Sequence, residues 1–303
     1  MQPTIHTFSS HYREQHGEPV GKIPLDIGVT CPNREEGGCI FCLPASFTPG
    51  YLASNDDISL QIEKGKKRIL RNRFRLYFAY FQQETCTAAS PAILLDRIGT
   101  VLKDKDCVGL ILSTRPDSIA NELLKEISGI VRESGKDCLW ELGLQSAHDT
   151  SLQFLNRNHT VDDFTRCIKR IREYKVFSTG AHLLFGIPGE NRQNMLDTLQ
   201  FVTDLGVQHL KLHHLQVIHD TRLHTLFKRG TITLFSKEKY LEFLLEALPL
   251  IPPDVVIHRL WTSSHPDLLV APKWNILATH LSRELQELMK NRNIWQGSTF
   301  IKQ

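Results

Sequence analysis

Six short, mostly apolar runs recur along this chain at intervals of roughly thirty residues: PLDIGVT (24–30), RLYFAYF (75–81), CVGLILST (107–114), CLWELGLQS (138–146), GAHLLFGIP (180–188) and HLKLHHLQVI (209–218). Near-continuous apolar runs of this length read as strands covered on both faces, which is the habit of parallel sheets. Between them lie segments with apolar residues at three- and four-residue spacing, at 56–73, 90–104, 117–134, 150–157, 161–175 and 191–206. Strand, crossover helix, strand is the βα unit, and six units predict an α/β fold: a partial (β/α)6 TIM-like barrel two units short of a closed one. After residue 230 the rhythm changes. A helix stopped by prolines (236–253), an added strand VVIHRLW (255–261) and a last helix (274–291) predict a C-terminal strand and helix extension. The expected organisation is a short N-terminal arm over 1–20, the barrel over 21–230 and the extension over 231–303, packed on the barrel.

The length suits one such domain with appendages. With 41% hydrophobic, 23% charged and 8% aromatic residues, neither disorder nor a fibrous class is indicated, and the net charge of +3 neither requires nor excludes a nucleic-acid partner. The polar N-terminus MQPTIHTFSSHYREQHGEPVGK has no apolar h-region, and no run of about eighteen apolar residues occurs, so a cytoplasmic protein without membrane association is expected. Seven cysteines, an odd number, argue against a disulfide framework in such a compartment.

Polar residues cluster at the C-terminal ends of the expected strands, the rim where barrels carry their chemistry. Cys31, Cys39 and Cys42 follow the first; Gln82 and Thr85 the second; Ser113, Thr114, Arg115 and Asp117 the third; Gln145 the fourth; Gly189 and Glu190 the fifth; Gln216, His219 and Asp220 the sixth. Three cysteines in the loop DIGVTCPNREEGGCIFCLP need an account. Structural zinc closes its tetrahedron with a fourth protein ligand, and no cysteine or histidine lies nearby in sequence. A [4Fe–4S] cluster is commonly held by four thiolates, and held by three it keeps one iron open to a bound molecule. Unrelated thiols, structural zinc and C-x-x-C redox exchange are the competing readings.

These residues resemble the radical S-adenosylmethionine (SAM) enzymes. More closely, KIPLDIGVTCPNR…GGCIFC, YFAYFQQETCT, GLILSTRPDSI, WELGLQSAHDTSLQFLNRNHT, HLLFGIPGE and HRLWTSSHPDLLVAPKWN, spanning about residues 10 to 300, resemble a family of short, mainly bacterial radical SAM proteins. That family is related to the Elongator catalytic subunit and to the oxygen-independent coproporphyrinogen oxidase type. The resemblance implies a cluster on Cys31, Cys39 and Cys42, with SAM chelating the open iron and cleaved to a 5′-deoxyadenosyl radical. It implies SAM contacts for Gln145 and Arg157, and further ones for Gln82, Thr85, Ser113, Arg115 and Glu141. The seven residues between Cys31 and Cys39 are fewer than the family usually has, and His182 stands where the coproporphyrinogen oxidase class has an aspartate. The resemblance covers no acetyltransferase domain, so whole Elongator-type chemistry is not expected.

The same kinship implies tRNA as substrate, modified on the C5 side chain of a wobble uridine, and an electron donor such as flavodoxin or ferredoxin. The alternatives are a small-molecule or peptide substrate and, in another class, a non-catalytic metal-containing RNA-binding protein. The segment KGKKRILRNRFR carries Lys64, Lys66, Lys67, Arg68, Arg71, Arg73 and Arg75, either a solvated helix face or a footprint for a phosphate backbone. Alternation along a strand puts His209, Lys211 and His213 on one face and His214 on the other, which predicts hydrogen-bonded barrel residues, not a second metal site; His213 or His219 could face substrate. Cys107, Cys138 and Cys167 are expected to pack as apolar side chains. Cys86, on the active rim, is the candidate hydrogen-atom donor to a product radical.

Overall fold

The computed structural model describes residues 4–53 and 56–300. Helix α1 (Phe8–His16) opens the chain, followed by β1 (Val20–Leu25), the long cysteine-bearing loop, α2 (Ile58–Gly65) with a π-helical turn over 66–70, and β2 (Leu76–Phe81). Then come α3 (Pro91–Leu102), β3 (Cys107–Thr114), α4 (Asn121–Ser134), β4 (Asp137–Gln145), α5 (Asp149–Phe154), α6 (Val161–Arg172), β5 (Ser178–Phe185), α7 (Arg192–Asp204) and β6 (His209–His214). The remainder supplies β7 (Val217–Ile218), α8 (Arg222–Lys228), α9 (Lys237–Ala247), β8 (Val256–Arg259), β9 (Leu269–Ala271) and α10 (Ala278–Asn291).

Seven strands form one parallel sheet in the order β1-β2-β3-β4-β5-β6-β8, curled into a half-barrel with helices outside. The expected strands are present. The added strand in the C-terminal segment joins the sheet beside β6 as its seventh member, and β7 pairs with β9 in a separate antiparallel ribbon. β1 lies earlier than the run 24–30 suggests. Lys22 and Pro24 break the apolar pattern of VGKIPL, yet Pro24 is tolerated because β1 is an edge strand, and the Lys22 ammonium packs over the Phe8 ring at 3.8 Å.

The helices bury their expected stripes. In α3, Leu94, Ile98 and Val101 are fully buried against the sheet, each worth about 1.5–3 kcal/mol of apolar burial. Trp140, Tyr77, Phe164 and Phe185 fill the layer between sheet and helices. The polar N-terminal stretch is a helix. Thr7 and Ser10 form a capping box, Gly17 ends it with φ +74°, and Phe8 and Tyr12 pack on Phe78 inside the barrel. α1 touches both edge strands, and Ile257 N donates to His6 O at 2.8 Å, so this helix bridges the seam that the open sheet leaves between β1 and β8. Among the described residues no helix is long and apolar enough to cross a membrane.

Candidate functional site

A cavity of about 260 Å³ opens at the C-terminal ends of the strands and is lined, for every strand of the half-barrel, by residues of the strand itself or of the loop that follows it. Its first wall is the cysteine loop. Cys31 precedes a 3-10 turn at Pro32–Arg34, and the chain reverses through Gly37 (φ +84°) and Gly38 (φ +69°), a left-handed pair that glycine adopts without steric cost. Cys31, Cys39 and Cys42 all face the cavity and are half-buried.

What holds this loop is a second loop after β4, Asn156-Arg157-Asn158. Buried Asn33 donates to Asn156 O at 2.8 Å and to Cys39 Sγ at 3.3 Å, and accepts from Asn158 Nδ2 at 2.8 Å. Asn156 Nδ2 donates to the carbonyls of Glu36 and Gly38. Asn156 (φ +55°) and Asn158 (φ +51°) are left-handed, a conformation asparagine tolerates better than most side chains. The sequence reading passed over these asparagines; their left-handed conformation is invisible without the turn. Arg157 Nη1 donates to Cys39 Sγ at 3.3 Å and Nη2 to Gly143 O at 2.6 Å. On the other side Glu84 accepts from Cys31 N and from Arg34 Nε at 3.1 Å.

Cationic and amide donors aimed at sulfur suit thiolates, and soft thiolate donors suit an iron–sulfur cluster. Burial, with Cys39 adding to it, pushes the Cys42 thiol up to about 12; coordination deprotonates such a thiol outright. No group of three His, Cys, Asp or Glu side chains among the described residues is arranged to hold a metal ion as it stands.

Of the residues expected to contact SAM, Gln82, Thr85, Ser113, Arg115, Gln145 and Arg157 line the cavity, brought there from β2, β3 and β4. Gln145 sits beside a register shift at the end of β4 and has φ +77°, a conformation costly for a non-glycine residue and recurrent at functional sites. Arg115 grips Asp117 with two hydrogen bonds, at 3.0 and 2.7 Å, while its Nη1 is buried without a partner. Two residues are not brought to the cavity. Cys86 is fully buried in the apolar core, where desolvation pushes its thiol up to about 12, so it lacks the access that hydrogen donation needs. Glu141 is buried beneath the floor instead of lining it.

The second wall comes from β5, β6 and β8. Lys211 Nζ donates to Glu141 Oε2 at 2.7 Å and to Tyr80 Oη at 2.6 Å, and His182 Nε2 lies 3.0 Å from the same carboxylate oxygen. His258 Nδ1 lies 3.2 Å from Glu141 Oε1 and 2.9 Å from Lys22 Nζ, and His209 Nδ1 is 3.0 Å from His258 Nε2. Burial alone would raise the Glu141 carboxyl, but Lys211 and the two histidines hold it well below the usual carboxylate range. Burial lowers Lys211 to about 8 against the pull of Glu141. Burial and Lys211 lower His182, while burial and Arg259 hold His213 well below its ordinary value, so both are neutral near pH 7. As alternation predicts, His209 and His214 are hydrogen-bonded barrel residues; His213, whose Nε2 has no partner among the described residues, lines the cavity, and the exposed His219 does not.

The basic segment lies elsewhere. Lys66 pairs with Asp104 at 2.6 Å and Asp106 at 3.4 Å, both just before β3, and Arg75 pairs with Glu18, just before β1. Lys66 to Arg75 therefore occupy the N-terminal rim, a strand length of about 20 Å from the cavity. Lys64 and Lys67 are paired too, with Asp56 and Glu63. Among the described residues, Arg68, Arg71 and Arg73 alone of the seven make no ion pair.

Comparison with known proteins places this geometry. Residues 25–202 match the family model described as the Radical SAM superfamily, and residues 207–291 match the Radical_SAM C-terminal domain. The chain is 30% identical to YtqA of Bacillus subtilis (strain 168), over 97% of this chain and 92% of that protein. It is 27% identical to the tRNA uridine(34) acetyltransferase of Methanocaldococcus jannaschii over 51% of this chain but 28% of that protein. Among solved structures it superposes on the archaeal Methanocaldococcus infernus Elp3 with a TM-score of 0.69 at 16% identity, covering 92% of this chain and 64% of the other, a likeness of fold.

Proposed function

This chain belongs to the radical SAM superfamily, and from that premise we propose that it is an enzyme in which Cys31, Cys39 and Cys42 hold a [4Fe–4S] cluster beside SAM. Members normally bind both. When bound, the cluster and SAM would supply one-electron chemistry that ends in abstraction of a substrate hydrogen. The observation carrying this reading is the convergence on one cavity wall of the three thiols with Gln82, Thr85, Ser113, Arg115, Gln145 and Arg157. The protein's own residues supply the rest: Asn33, Asn156 and Asn158 fix the loop, and Arg157 and Arg34 place positive charge beside the sulfurs.

The proposed substrate is tRNA, at the C5 side chain of a wobble uridine. Its support is the alignment of half the chain with a tRNA uridine(34) acetyltransferase. A base splayed out of its stack would reach the cavity, as single-stranded loop bases do in other RNA sites. The basic segment on the opposite rim adds nothing to this reading. A second reading, a small molecule bearing an acid group, draws on the cationic second wall.

The test is anaerobic reconstitution with iron and sulfide, reduction, and assay of SAM cleavage. About four irons per chain and 5′-deoxyadenosine from wild type, with at least a roughly 100-fold loss in Cys39→Ala, are expected. Tight zinc without cleavage sinks the enzymatic reading. Changed nucleosides in tRNA digests, found only with wild type, would identify the substrate; unchanged tRNA together with active SAM cleavage removes it.

A further inference from the structure

Five cationic side chains line the cavity, Arg34, Arg115, Arg157, Lys211 and Arg259, against one carboxylate, Glu84. Four have a partner on the protein. Arg34 has Glu84, Arg115 has Asp117, Lys211 has Glu141, and Arg157 has the Cys39 sulfur. Arg259 has none: among the described residues its guanidinium makes neither an ion pair nor a hydrogen bond, although it is solvent-exposed into the cavity.

The backbone takes trouble to put it there. Arg259 is in register with Lys211 on the neighbouring strand, an adjacency of like charges that is unfavourable unless something neutralises it. A register shift sits at this pairing, so Ile257 faces Leu210 and the next residue in register is Arg259. Without such a bulge, alternation would send His258 and Arg259 to opposite faces; here His258 reaches Glu141 and Arg259 still reaches the cavity. In the loop after β8 the Ser263 hydroxyl has no hydrogen-bond partner among the described residues, and His213, whose Nε2 is unpartnered, lies close enough to Arg259 to feel its charge; both residues line the cavity. The candidate cofactor contacts all come from β1 to β4 and their loops, so this group lies on the opposite wall.

We propose that Arg259, with Ser263 and His213, forms an anion subsite that receives a carboxylate or phosphate group of the substrate. A planar guanidinium offers two parallel donors to either anion, and a hydroxyl and a neutral imidazole add hydrogen bonds without further charge. An organic acid and a nucleotide would present the same chemistry. The inference rests on reading the cavity as a radical SAM active site, but its test does not need turnover.

Cluster-reconstituted, unreduced protein is treated with phenylglyoxal, which modifies accessible arginines, and the rate at each arginine is read by peptide mass spectrometry. The additions are inorganic phosphate, acetate or SAM, with chloride holding ionic strength constant. Arg259 should react faster than Arg115 or Arg157, and phosphate or acetate should slow it about five-fold or more near saturation. Protection by phosphate alone would point to a nucleotide, by acetate alone to an organic acid. The inference is overturned if neither anion protects, if all arginines are slowed equally, or if SAM alone protects Arg259, which would assign it to the cofactor's carboxylate. Equilibrium dialysis of labelled phosphate and acetate gives a second readout: Arg259→Gln, folded by circular dichroism, should bind at least about ten-fold more weakly than wild type, with Arg259→Lys between them. Equal binding by Arg259→Gln also defeats the inference. Protection without SAM cleavage would leave the subsite standing while the proposed function fell.

Discussion

The two walls of the cavity are built differently. The cysteine wall is a loop whose thiols sit close in sequence, Cys31 to Cys42, and its order comes from asparagine clamps on backbone carbonyls. The opposite wall is made of single residues from β5, β6 and β8, tied by one buried carboxylate, Glu141, which Lys211, His182 and His258 surround. On the first wall Arg157 and Arg34 reach sulfur; on the second Lys211 meets the Glu141 carboxylate where both side chains are buried. Changes to the first wall should therefore be felt mainly in chemistry, and changes to the second mainly in stability.

Breaking the buried pair should have the largest effect on stability. Lys211→Met leaves Glu141 (1% exposed) buried without its cation, at a cost of about 3–5 kcal/mol. Denaturant unfolding should show this, while Cys39→Ala should leave the unfolding midpoint of the cluster-free protein near wild type. A midpoint for Lys211→Met within error of wild type would erase the contrast between the walls.

Acid should act on the second wall next. Burial holds His209 and His214 at about 3, and His182, His213 and His258 are lowered as well; on the first wall only His159 joins them, at about 4. Each folded value lies below the unfolded one, so the unfolded chain takes up protons first as pH falls through about 6.5. Stability is then lost from there down toward the folded values, by about 2 kcal/mol at pH 5 for each of His209 and His214. Melting curves from pH 7.5 to 5 should show the loss, and His209→Gln should flatten it. A flat profile in the wild type would contradict neutral burial.

A smaller effect separates strain from contact on the first wall. Gln145→Gly relieves the positive φ and should raise stability by about 1 kcal/mol, while retention of SAM by the reconstituted protein falls. A gain in both would show that the side chain does not touch the cofactor. Smallest of all, replacing Arg68, Arg71 and Arg73 together by Gln should change tRNA affinity less than about two-fold and leave the salt slope nearly unaltered. A slope change near three would bring the N-terminal rim into RNA binding after all.

Much of the half-barrel was legible because parallel strands and amphipathic helices leave strong periodic marks. The first strand was read a few residues late because Lys22 and Pro24 interrupt its apolar pattern, and α1 was missed because a polar sequence hides the two aromatic side chains it inserts. The cysteine loop and most of its partners could be placed on the rim from strand ends. The depth of Glu141 and Cys86, and the rim on which the basic segment lies, could not be read from the sequence, since depth and rim are properties of the sheet and not of residue type.

By itself the sequence determined the βα order, the cysteine spacing and therefore the family chemistry, because these depend on residues near one another along the chain. Tertiary structure alone decided which charges are neutralised. Lys211 meets Glu141 across seventy residues, and Arg259 turns into the cavity through a register shift at β8. Coulomb energy and desolvation depend on distance and burial in space, and a linear pattern carries neither.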